Sequence, residues 1–96
     1  CIRDSFYTMC AQMKTFIDRC CARYTEISDK EFFFIATAAE ENKKLIERTF
    51  DSLRGFTDCL ESAVEKGCIY GTGVWKMSDI EGSPLLDEAY NAGANI

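Results

Sequence analysis

Apolar and polar positions change period several times along this chain. In FYTMCAQMKTFIDRCCARYTE, residues 6 to 26, Met9, Met13, Phe16, Ile17, Cys20 and Tyr24 recur at helical spacing and line one face. Lys14, Asp18, Arg19 and Arg23 fall largely off that stripe. Thr8 stands where its hydroxyl can cap the start, accepting a bond from a free amide of the first turn. After a polar break, ISDK, the stretch EFFFIATA runs apolar from Phe32 to Ala36 without alternation. Its shortness and aromatic content predict a strand. Unbroken apolarity predicts protein on both faces, as in a parallel sheet between helices.

EENKKLIERTFDSLRGFTDCLESAVEKG returns to helical spacing, with Leu45, Ile46, Phe50, Leu53, Leu60 and Val64 roughly on one side, helped by Phe56. Glu40 and Glu41 are expected in its first turn, complementing the helix dipole. Two endings stay open: Gly67 stops the helix, or ESAVEKG is already a loop after Leu60. CIYGTGVW predicts a second strand, with Gly71 and Gly73 where chain passes close to chain or ligand. MSDIEGSP reads as a surface loop, and Ser83-Pro84 opens a last helix, Ser as cap and Pro in the first helical position.

The order helix, strand, helix, strand, helix implies α/β layering with a right-handed crossover between two parallel strands. Two parallel strands leave open edges. The expectation is therefore one incomplete α/β domain over residues 1–96, its remaining sheet absent from the sequence or supplied by another chain.

Composition changes this picture little: 47% hydrophobic and 28% charged residues suit a single modest core. The charge does narrow the partners. With 16 acidic against 11 basic residues, the net charge of −5 argues against nucleic acid and against an anionic membrane surface. No apolar stretch approaches the roughly 18 residues of a membrane span, and CIRDSFYTMC carries no secretory pattern. Cys1, Cys10, Cys20, Cys21, Cys59 and Cys68 include no C-x-x-C pair, and the chain has no His. That disfavours a zinc site and suggests reduced, cytoplasmic thiols acting mostly as small core residues.

The lack of His also removes the usual general base and every Ser-His or Cys-His nucleophile. No catalytic residue and no metal ligand is assigned. Asp58 beside Cys59 is no activating partner, because a neighbouring carboxylate disfavours the thiolate. GTGVWK has G-x-G without the third glycine or the helix of a dinucleotide fingerprint. The informative position is topological: ligands of open parallel sheets gather beyond the carboxyl ends of the strands. TAAEE, residues 37 to 41, falls there. Thr37 offers a hydroxyl, Ala38 and Ala39 let a flat ring approach, and two glutamates repel phosphate, so the loop suits the uncharged part of a cofactor. A plain strand-to-helix turn explains it equally well.

Several stretches together resemble the flavodoxin-like NAD(P)H-dependent oxidoreductases, the group of NADPH-dependent FMN reductases and iron–sulfur flavoproteins. FYTMCAQMKTFIDR resembles the helix after that family's S-P-V-Y loop, and FFFIATAAEE its fourth strand and following loop. LRGFTDCL and YGTGVWKMSDIEGSPLLDEAYNAG resemble the closing helix, strand and helix. The likeness spans residues 6 to 96 and marks a C-terminal part. It implies a three-layer α/β/α fold with parallel strands that binds FMN and accepts hydride from NAD(P)H. By position it places Phe6, Tyr7 and Thr8 at the end of the flavin loop, and Thr37, Ala38, Ala39 and Glu40 beside the isoalloxazine or ribityl chain. It also implies a homodimer acting on a small-molecule or flavin substrate. The family's first strand, its phosphate loop and S-P-V have no counterpart here, so a segment is expected to be missing between Ser5 and Phe6. Without the phosphate cradle, the piece alone is expected to hold flavin poorly or not at all and not to be competent as an enzyme. The alternative is a flavin-free assembly module that completes its sheet with a second copy. A thiol-based redox protein is a third reading.

Overall fold

The computed structural model describes residues 6–96; Cys1 and the junction at Ser5 lie outside the described residues. The chain is mixed α/β, with α1 at Ala11–Arg19, β1 at Glu31–Thr37, α2 at Lys43–Thr57, β2 at Val64–Gly71 and α3 at Pro84–Ala94. β1 and β2 form a two-stranded parallel sheet, paired from Glu31 with Val64 to Thr37 with Gly71. The expected order of elements holds. One register shift falls between Phe32 and Phe33, where Lys66 of β2 is the residue left without a mate.

The core forms where α2 lies on the sheet. Phe34, Ala36, Ala38, Ile46, Phe50 and Leu53 are buried together, with Met9, Met13, Ile17, Phe32, Cys68 and Tyr70 packed around them. Phe50 sits at its centre, stacked on Phe34 (6.3 Å, 25°) and edge-on to Tyr70 (4.9 Å, 83°). Truncation of Phe50 to Ala would destabilise by about 3–5 kcal/mol.

β1 is covered on one face only, against expectation. Phe34 and Ala36 point into the core, but Phe33 and Ile35 remain 39% and 38% exposed. On that second face α3 packs against β2, and Ile69 is buried, while β1 beside it stays open. Phe33 lies over Gly67, its ring 3.5 Å from where a Cβ would stand.

Several element boundaries move. The first helix is regular only over Ala11–Arg19 and continues as a 3₁₀ helix over Cys20–Glu26, bent at Arg23 (φ −133°, ψ 20°). Cys, Tyr and Thr in that stretch are weak helix formers. Cys10, not Thr8, occupies the cap position, and its side chain does not cap the helix amides. The chain enters from a turn with Phe6 and Tyr7 in the left-handed region (φ 50° and 63°), which displaces Thr8 from the helix end. Met9, Met13 and Ile17 face the core, but Phe16 and Tyr24 are exposed (60% and 45%), so the apolar stripe is narrower than its spacing suggests.

Asn42 caps α2, its side chain accepting from the Lys44 amide, so Glu40 and Glu41 precede the helix. The helix ends at Thr57, nearer the Leu60 alternative than Gly67, and a turn with Ser62 at φ 57° leads into β2. β2 therefore begins at Val64 rather than Cys68, and Val64 is a strand residue, 49% exposed. The last helix starts as expected: Ser83 accepts from the Leu85 amide at 3.2 Å and Pro84 takes the first position. No described helix is long and apolar enough to cross a membrane.

Candidate functional site at the strand carboxyl ends

Parallel strands deliver both following loops to one edge, and here three backbone bonds lace them together. The Ala38 amide donates to Gly71 O (2.8 Å), Val74 to Ala38 O (2.9 Å) and Gly73 to Glu40 O (3.0 Å). Gly71 is required by this closeness, since a Cβ there would stand 2.8 Å from Thr37 Cγ2 and 3.0 Å from Ala36 O. Gly73 is required by its conformation, φ +66°. The two glycines thus serve approach of chain to chain.

Glu40 is the polar centre of the edge. Its Oε1 accepts from the Glu41 and Asn42 amides, both at 3.0 Å, and its Oε2 accepts from the Tyr7 hydroxyl at 3.2 Å. These bonds favour the carboxylate. The Asn42 amide above all, with Tyr7 and Glu41, holds its pKa below the usual range against a smaller opposing effect of burial. Arg48 lies over the Tyr7 ring, 5.9 Å from its centre, and fixes that ring from the flank of α2.

The residues expected around a ligand are only partly assembled. Tyr7 and Glu40 meet, and Thr37 and Ala39 lie half-buried at the same edge. Ala38, 1% exposed, belongs to the core instead. The Thr8 hydroxyl is bonded to that of Ser52 (2.9 Å), well along α2, and Phe6 is 99% exposed. An apolar cleft of about 670 Å³ lies elsewhere, between the α1 segment and α2, lined by Met9, Ile17, Phe56 and Leu60 with Cys21 and Cys59. None of the expected ligand residues lines it.

A polar cluster that was not anticipated from the sequence spans α2 and β2. Arg54 binds both carboxylate oxygens of Glu65 (2.7 and 3.0 Å) and also Glu47 and Asp51 (2.8 Å each). Glu47 in turn accepts from the Tyr70 hydroxyl. The spacing of Glu47, Asp51 and Arg54 along one helix face was the available signal; their fourth member on β2 had none.

Among the described cysteines, against expectation, most are not core residues: Cys10, Cys20 and Cys68 are half-buried, Cys68 packing against the core, and Cys21 and Cys59 are exposed. Among the described residues no group of three or more potential ligands could hold a metal ion. Compared with protein families, curated proteins and solved structures, the chain matches none.

Proposed function

We propose that this chain is the C-terminal part of a flavodoxin-like, FMN-dependent NAD(P)H oxidoreductase whose strand ends receive the flavin ring. The observation that carries this reading is the Tyr7–Glu40 hydrogen bond. It joins, at the carboxyl edge of parallel strands, two segments 33 residues apart that the family resemblance sets around one ligand. Small, half-buried Ala39, next in the chain to Glu40, suits the approach of a flat ring. The phosphate does not suit this edge, where Glu40 and Glu41 stand together. A bound flavin supplies the electron chemistry, and the chain supplies placement, which suits a protein without histidine.

Titration of the chain with riboflavin and FMN tests this. Flavin fluorescence should be quenched, with shifts of the Tyr7, Ala39 and Glu40 resonances, and Ala39→Phe should weaken binding about tenfold or more. Unmoved resonances with both flavins would sink the proposal.

The open face of β1 favours a second reading, in which the sheet is completed by another copy of the chain. Phe33 and Ile35 are the exposed apolar residues of a strand with no outer neighbour among the described residues. Sedimentation should then show a dimer that Phe33→Thr with Ile35→Thr converts to monomer. A wild-type monomer at high concentration excludes it.

A further inference from the structure

The start of a helix beyond parallel strands ordinarily attracts anions, because its first amides lack partners and its dipole is positive there. In this chain several donors of that position are taken up internally. Glu40 Oε1 holds the Glu41 and Asn42 amides, and Asn42 Oδ1 holds that of Lys44. On the facing loop, Gly73 and Val74 donate to Glu40 O and Ala38 O. Two nearby cations are committed to rings, Lys43 over Tyr70 at 5.5 Å and Arg48 over Tyr7 at 5.9 Å. Lys44 is exposed, where water and salt weaken its field. Glu41 brings a second carboxylate, its Oε1 4.0 Å from the Cβ position of Gly73.

We infer that Glu40 is a specificity-determining residue, an internal carboxylate that fills the anion position of the strand ends and turns the edge toward neutral ligands. An external phosphate or carboxylate would have to displace a covalently tethered anion already held by two amides and a phenol. A neutral ring meets no such barrier. Glu40 Oε2 also keeps acceptor capacity beyond its bond from Tyr7, so N–H groups of a heterocycle are the complementary chemistry. This rests on the flavin reading only for the identity of the ring. For a phosphorylated ligand it fixes the orientation, ring at Glu40 and phosphate elsewhere.

The experiment is amide NMR of the full chain with inorganic phosphate and, separately, riboflavin, against a chloride control of equal ionic strength. In wild type, tens of millimolar phosphate should leave the Glu41 and Asn42 amides unmoved. In Glu40→Ala the same amides should shift saturably, with affinity raised about tenfold or more. Glu40→Gln keeps an acceptor oxygen for the two amides and guards against misfolding of the alanine variant. It should show a smaller gain, with Ile46 and Phe50 resonances unchanged. Phosphate shifts in wild type, or identical behaviour of wild type and both variants, would overturn the inference. Riboflavin shifting nothing in any of the three would defeat the flavin reading alone, leaving the phosphate result to judge Glu40.

Discussion

Arg54 engages three carboxylates at once, and its closest partnership reaches across from α2 to β2. The hydrogen bonds from Arg54 are the main reason the Glu65 pKa falls to about 2, and these bonds and charges raise that of Arg54. Because the folded pKa is depressed, the stabilisation is complete above the ordinary value of 4.5 and is lost as pH falls toward about 2. Both side chains are about a third exposed, so solvent screening reduces the worth of the pair to about 1 kcal/mol or less. Glu65→Gln should lower the melting temperature at pH 7 and flatten its decline between those two pH values, in melts followed by circular dichroism. Cys68 belongs to the same cluster: burial first, then Glu65, pushes its thiol up to about 11. At neutral pH only about one Cys68 in ten thousand is thiolate. Mild alkylation with mass-spectrometric readout should label exposed Cys21 and Cys59 well before Cys68, and Glu65→Gln should quicken Cys68. Spacing along α2 groups Glu47, Asp51 and Arg54 but cannot place Glu65, which joins them only through tertiary pairing.

At the scale of elements, what the sequence revealed was what local chemistry decides. Ser83-Pro84 starts α3 through its own hydroxyl and ring, and the two-strand, three-helix order follows from changes of hydrophobic period. The open face of β1 was not legible. In EFFFIAT apolar residues occupy both alternating sets, so nothing in one dimension says which set finds cover. The start of β2 was hidden for the opposite reason: Val64, Glu65 and Lys66 are exposed and read as helix or loop. At the strand ends, TAAEE was legible as an edge by topology, but the self-occupation of its amides was not, since it depends on the fold of one turn. Gly71 tests how tightly that edge is built. Gly71→Ala forces a Cβ against Thr37 and the Ala36 carbonyl and should destabilise by about 1–3 kcal/mol in urea unfolding. Gly55→Ala, with open space around its Cβ position inside α2, should stabilise by up to about 1 kcal/mol.

For the molecule as a whole, the sheet is a pairing of distant residues. Mates in β1 and β2 are 33 or 34 positions apart, and α2 with its flanking turns is all the chain between them. No hairpin can seed this sheet, because parallel neighbours require a crossover before the first ladder bond forms. The expected consequence is refolding gated by the crossover helix, with α2 substantially formed while the strands are still searching for each other. Asn42→Ala, which removes the helix cap and about 1 kcal/mol, should slow stopped-flow refolding about fivefold with little change in unfolding rate. A variant on the bare side of β1, such as Ile35→Thr, should leave the refolding limb nearly untouched. The spacing of two short strands thus makes one polar side chain at a helix start the pacemaker of the whole chain's return to order.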